Sequence, residues 1–161
     1  DIIVRITADD PLKDPVVIDY AVNKLKKDKN LDYVSNTIDP SYPEGIDVEV
    51  FRFKALEIAF KEATQKTEIE HVTPYIWSHP EIFGIENFYA DEDMSKFRLT
   101  VDYEKDITVI SAILSHFKSD PLVGYKDIVK FLRNHPEIAE INSNIMRNEG
   151  YHKSLIEEKI K

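Results

Sequence analysis

The chain of 161 residues contains no cysteine. A disulfide framework, a thiolate zinc site and a cysteine nucleophile are thereby excluded, and a reducing cytoplasm is the expected location. Glycine is scarce, with four residues, and no phosphate loop of the form G-x-x-x-x-G-K-[ST] occurs. Positive charge is in deficit as well: 21 Lys and Arg against 30 Asp and Glu give a formal net charge of −9. A phosphate-tracking surface needs clustered Lys and Arg, so nucleic acid is not an expected partner. The basic cluster Lys24 to Lys29 is interrupted by Asp28 and reads as the solvated end of a helix. No apolar run approaches the roughly 18 residues that span a bilayer, so a membrane is not expected either.

Apolar material for a core is plentiful, at 42% hydrophobic and 11% aromatic residues. Asp1 is followed at once by Ile2-Ile3-Val4, with neither a charged region nor an apolar leader before it. This start predicts a fragment that opens in mid-fold.

Ile2 to Ile6 reads as a buried strand that empties into Thr7-Ala8-Asp9-Asp10-Pro11. Asp14 as N-cap and Pro15 at the first position open a helix, with Val17, Ala21 and Leu25 as its buried stripe, ending near Asn30. Tyr33-Val34-Ser35 is the next strand, followed by an irregular loop from Asn36 to Gly45. From Asp47 to Phe53 polar and apolar residues alternate, which puts Val48 and Val50 on one face and Asp47, Glu49 and Phe51 on the other. Lys54 to Ala63 is helical by composition, and Thr67 with Glu70 has the form of a capping box opening another helix, restarted at Pro74. Phe83 to Tyr89 reads as a further strand, and Asp91-Glu92-Asp93 as a solvated loop.

Arg98 to Asp102 repeats the opening pattern, a short strand ending in an acid. A helix from Glu104 to Phe117 follows, with Ile107, Ile110, Ile113, Leu114 and Phe117 inward. Asp120 and Pro121 mark a joint; Tyr125 to Asn134 is a small amphipathic helix, and Pro136 to Lys161 a polar helical tail. Strands alternating with helices predict an α/β layered fold with a mainly parallel sheet over residues 1–120 and a helical extension over 121–161. Ligands of such sheets bind at the carboxyl ends of strands, where Asp9 and Asp102 both fall.

Two strand-end aspartates meet the needs of a hard cation, which takes one or two carboxylates plus phosphate oxygens and water. By local pattern alone the commoner role of such acids is to cap the turn or the helix that follows. His79, His116, His135 and His152 show no metal-ligand spacing, and Trp77 reads as core.

The stretch Thr7-Ala8-Asp9-Asp10-Pro11-Leu12-Lys13-Asp14-Pro15 resembles a loop of the spore-coat polysaccharide biosynthesis cytidylyltransferases. More distantly it is similar to the Gly-Asp-Glu-Pro-Leu loop of the CMP-KDO synthetases, which are related in turn to the acylneuraminate cytidylyltransferases. Arg98-Leu99-Thr100-Val101-Asp102, Tyr42 to Phe51, Glu70 to Tyr75 and His135 to Asn142 also look like stretches of the spore-coat family. The resemblance implies a Rossmann-like nucleotide-diphospho-sugar transferase fold and transfer of CMP from CTP to a sugar, with release of pyrophosphate. It implies Asp9 and Asp102 as catalytic residues and ligands of Mg²⁺, and a homodimer. By the same analogy Asp47, Glu49, Glu70, His71 and Arg98 bind the sugar. Gly45 and Glu49 stand where the CMP-KDO enzymes carry a His and a Tyr. A pocket this acidic repels a sugar acid unless Arg98, Arg52 or a further segment compensates. The family's Arg-x-x-Ser-x-Arg-x-Pro-Gly-Lys loop is expected before Asp1, and without it CTP binding would be weak. The rival readings are a glycosyltransferase of the related fold, whose Asp-x-Asp element would need a second acid at Pro11, and a non-catalytic homologue.

Overall fold

A computed structural model describes residues 1–118, 120 and 122–159. Four strands, β1 (Ile2–Arg5), β2 (Tyr33–Ser35), β3 (Glu49–Arg52) and β4 (Ile85–Asn87), form one sheet in the order β1-β3-β2-β4. Among the described residues eight helices accompany them: α1 (Pro15–Lys27), α2 (Phe53–Glu62), α3 (Lys66–His71), α4 (Pro74–Trp77), α5 (Glu104–His116), α6 (Tyr125–Asn134), α7 (Pro136–Ala139) and α8 (Glu149–Lys159).

The period-two alternation of β3 builds a core on each face of the sheet. Val34, Val48 and Val50 pack under Val17, Ala21 and Leu25 of α1, Ile110 and Ile113 of α5, and Ile128 and Leu132 of α6. Tyr33 and Phe51 face the other way, onto Ala55 and Ala59 of α2 and Ile76 of α4. Each large apolar side chain buried in this way stabilises the fold by roughly 1.5–3 kcal/mol. The expected α/β architecture of a central sheet with flanking helices is present. Strand direction needs a correction to the mainly parallel expectation: β3 runs antiparallel to both β1 and β2, and of the strand pairs among the described residues only β2 and β4 are parallel. Because β1 and β2 both oppose β3, they share a direction with β4. The single reversed strand lies inside the sheet, so most pairings are antiparallel although most strands point one way.

Local signals fixed α1 well. Asp14 Oδ1 accepts from the Val16 amide at 2.8 Å, and Oδ2 accepts from the Tyr125 amide at 3.0 Å, so the same carboxylate caps α1 and holds the start of α6. Four expectations change. Arg98 to Asp102 is extended but is no strand, since its partners lie in loops: Leu99 N donates to Glu44 O at 2.7 Å and Val101 N to Asp9 O at 2.8 Å. Beside them Gly45 turns at φ 98°, which stops Glu44 from continuing a ladder. The capping box of α3 is Gln65 with Glu68, not Thr67 with Glu70. In α5, Ile107 is exposed and Asp106 takes the inward position one residue earlier. The polar tail is two helices, α7 and α8, separated by the irregular segment 140–148. Of the expected joint, Asp120 is described, whereas Pro121 lies outside the described residues.

Candidate active site

A cleft of about 730 Å³ opens at the ends of β1 and β3, walled by the loop after β1, the segment Thr100 to Tyr103, the end of α3, and residues 147–153. The loop after β1 is set by Asp10, which is buried. Its carboxylate accepts from the Thr7 hydroxyl at 2.9 Å and from Lys13 Nζ at 2.7 Å. Lys13 in turn reaches the backbone carbonyl of Asp47. The acidity of Asp10 thus has a structural use, while Asp9 beside it is exposed and lines the cleft.

Asp9 and Asp102 line one wall. The Asp9 carbonyl accepts from Val101 N, and the Thr100 hydroxyl lies 3.2 Å from that carbonyl and 3.4 Å from Asp9 Oδ2. One residue beyond Val101, Asp102 is exposed to the cleft, with Oδ2 held by Arg98 Nη2 at 2.5 Å. Among the described residues no group of three or more His, Asp and Glu side chains is placed to hold a metal ion. A cation held here would take two carboxylates and draw its remaining oxygens from substrate and water, which is the habit of Mg²⁺. The oxygen-only donor set, with Asp9 free of any ion pair among the described residues, fits that ion.

Asp47, Glu49 and His71 line the same cleft. Glu49 is buried and accepts from the Tyr33 and Thr73 hydroxyls, each at 2.5 Å, while Arg5 pairs with its other oxygen. Burial and the Glu49 carboxylate push the Tyr33 phenol well above its ordinary value, so it remains a donor. Asp47 pairs with Arg147 at 2.5 Å. Burial raises its pKa to about 6, with Asp10 and Glu44 adding to the rise while Arg147 and Lys13 oppose it. His71 Nε2 lies 3.1 Å from the Ser154 hydroxyl of α8, its ring edge-on to Tyr151.

Two expected sugar ligands are not in the cleft. Glu70 projects from an exposed face of α3, beside Lys66, because the helix turns Thr67, Glu68 and His71 inward and leaves position 70 about a quarter-turn away. Arg98 is buried behind the wall, between Glu44 at 2.8 Å, Asp106 at 2.9 Å and Asp102. Burial alone would lower its pKa; its three carboxylates raise it above the ordinary arginine value. Asp106 is pulled up by burial and held below its ordinary value by Arg98, Asn142 and the amides of Asp102 and Tyr103.

Positive charge in the cleft comes from Arg5, Lys13, Arg147 and Lys153, with Arg5 on Glu49 and Arg147 on Asp47, not from Arg98 or Arg52. Arg52 instead donates to the carbonyls of Leu31, Leu25 and Asp28 at the end of α1. Arg5 could have been found from the sequence only with the β1/β3 register, which sets it opposite Glu49. Arg147 carries no local signal, lying 100 residues from its partner Asp47. Trp77 and His152, set aside on sequence, also reach the cleft.

Residues 1–150 match the family described as cytidylyltransferase. An uncharacterized protein of Methanocaldococcus jannaschii is 40% identical over 94% of this chain and 60% of its own length. The spore coat polysaccharide biosynthesis protein SpsF of Bacillus subtilis is 30% identical over 86% of this chain and 57% of its own. Among solved structures, a cytidylyltransferase from Leptospira borgpetersenii serovar Hardjo-bovis superposes with a TM-score of 0.82 at 28% identity, over 91% of this chain and 60% of that one. The chain therefore spans about 60% of the length of these relatives. A family match over nearly all of the sequence coincides with a sheet whose strand ends carry a carboxylate-lined cleft, and the chain belongs to the cytidylyltransferase family.

Proposed function

We propose that this chain forms the metal and sugar side of a CTP-dependent sugar cytidylyltransferase acting in the synthesis of a cell-surface polysaccharide. The observation that carries the reading is the convergence of Asp9 and Asp102, 93 positions apart in sequence, on one wall of the cleft through the Val101 to Asp9 hydrogen bond. In the reaction the sugar hydroxyl oxygen bonds to the α-phosphorus of CTP. The bond from that phosphorus to the α–β bridging oxygen breaks, pyrophosphate leaves, and the hydroxyl proton passes to solvent or a neighbouring base. A bound Mg²⁺ would supply neutralisation of the charge building on pyrophosphate, held by Asp9 and Asp102.

The residues themselves supply orientation. Glu49, fixed by Tyr33, Thr73 and Arg5, and Asp47, fixed by Arg147, present oxygens to sugar hydroxyls or an amine at constant geometry. Because both acids are matched by an arginine, a sugar acid meets less repulsion than the sequence suggests. Similarity to SpsF supports the polysaccharide role.

The test is pyrophosphate release from CTP with a panel of candidate sugars. It is run on this chain and on the same chain within a polypeptide of its relatives' full length. Activity is expected to fall to background in the Asp9→Ala, Asp102→Ala double variant. Full activity in that variant would sink the assignment.

A further inference from the structure

Arg98 is the most heavily engaged side chain behind the cleft, and nothing in the transfer reaction uses it directly. Its guanidinium makes four hydrogen bonds: Nε to Asp106 Oδ1 at 2.9 Å, Nη2 to Asp106 Oδ2 at 3.1 Å, Nη1 to Glu44 Oε2 at 2.8 Å and Nη2 to Asp102 Oδ2 at 2.5 Å. Glu44 and Asp106 are themselves fixed. Asp106 also accepts from Asn142 at 2.9 Å and from the amides of Asp102 and Tyr103, both at 3.0 Å. Glu44 Oε1 accepts from the Asn148 amide at 3.0 Å. Asp102 differs from its two companions. Its side chain is 46% exposed where theirs are 0% and 10%, and Arg98 is its ion-pair partner among the described residues.

A guanidinium is a planar fork whose donors point in fixed directions. With one edge taken by Asp106 and a corner by Glu44, the remaining Nη2 hydrogen has a set direction and defines where Asp102 Oδ2 must lie. The other oxygen, Oδ1, has no hydrogen-bond partner among the described residues, and Asp102 lines the cleft. Three carboxylates against one guanidinium also leave this buried cluster with excess negative charge, which Arg98 alone does not neutralise and which favours a cation at the open oxygen.

We propose that Arg98 is the positioning residue for Asp102: held from behind by Asp106 and Glu44, it clamps one carboxylate oxygen so that the other is presented to a divalent cation at fixed geometry. This rests on the reading of Asp102 as a cation ligand. Lysine in its place would keep the charge but could reach only some of the three carboxylates, so Asp102 would swing free.

The experiment is a double-mutant cycle read by Mn²⁺ affinity, with Mn²⁺ alone as the probe, from water-proton relaxation on the unmodified chain, Arg98→Lys, Asp102→Asn and the double variant. Groups that orient a metal ligand typically contribute about 10–100-fold in affinity. Arg98→Lys is therefore expected to weaken Mn²⁺ binding about tenfold, and to weaken it no further once Asp102 is Asn. An equal loss in both backgrounds, or none, overturns the positioning role. If Asp102→Asn weakens binding while Arg98→Lys does not, the cation reading stands and this proposal alone fails. If Asp102→Asn has no effect, both fall. Should Arg98→Lys fail to fold, Glu44→Gln is substituted: it slackens one anchor without touching the Arg98–Asp102 pair, and about a twofold to threefold loss, again confined to the Asp102 background, is expected. Equal loss in both backgrounds, or no loss, again refutes the role.

Discussion

Asp47 links stability to pH in a direction opposite to most paired carboxylates. Its folded-state pKa is raised from 3.8 to about 6, burial outweighing the Arg147 and Lys13 charges. A raised carboxylate is stabilising while protonated. Its contribution is fully present below about pH 4 and is lost as pH rises through about 6, so at neutral pH the ionised Asp47 is a cost to the fold. At ~1.4 kcal/mol for each pKa unit, complete burial would make that cost about 3 kcal/mol. The side chain keeps 21% of its surface, and water screening there brings the expected cost to about 1–3 kcal/mol. Asp47→Asn is neutral at every pH and nearly isosteric. Urea unfolding of both proteins between about pH 4 and pH 7.5 should show the variant gaining on the parent by about 1–3 kcal/mol across that window. In thermal midpoint this amounts to about 2–10 °C. Groups that titrate alike in both proteins cancel in the difference. A gap that stays constant with pH, or shrinks as pH rises, would refute the account of Asp47. Gain of stability with loss of sugar binding is what a residue kept for its cleft function predicts.

Two further outcomes follow from local geometry. At Gly45, φ is 98° and a Cβ would lie 2.6 Å from the Leu99 carbonyl carbon and 2.9 Å from the Thr100 amide nitrogen, so Gly45→Ala should destabilise by about 2–5 kcal/mol in urea titration. The displaced segment carries Asp102, so Mn²⁺ affinity should drop in the same protein. Glu68→Ala removes the acceptor of the Thr64 and Gln65 amides, at 3.2 and 3.1 Å, and should cost about 1 kcal/mol, whereas Glu70→Ala should stay within about 0.5 kcal/mol and leave sugar binding intact.

The Glu68 and Glu70 contrast shows where sequence reading loses its grip. Thr67 and Glu70 satisfy the spacing of a capping box as well as Gln65 and Glu68 do, and the choice between them falls to packing. Thr67 is drawn away by Glu158 of α8, whose carboxylate accepts from the Thr67 hydroxyl at 2.5 Å and the Lys66 amide at 2.6 Å. In α5 the same competition between neighbouring frames was decided by a polar residue. Asp106 is buried because Arg98 and Asn142 wait for it, and that rotates Ile107 to the surface. A hydrophobicity pattern counts apolar positions and has no means of anticipating a buried ion pair.

What the sequence determined by itself is what depends on neighbours a few positions apart. Asp14 and Pro15 start α1, Val17, Ala21 and Leu25 define its buried stripe, Tyr33 to Ser35 makes a strand, Tyr125 to Asn134 makes α6, and Asp9 lies in the loop that follows β1. The family resemblance rests on such short stretches too, and it singled out Asp9 and Asp102. Only the tertiary structure decided that β3 runs backwards through the middle of the sheet, that its register sets Arg5 against Glu49, that Arg147 arrives from 100 residues away to meet Asp47, and that Arg98 stands behind the cleft rather than in it. The physical reason is range. Periodicity and capping are fixed by geometry within one turn or one pleat, whereas the pairing of charges across a cleft depends on strand order and register, which no short segment specifies.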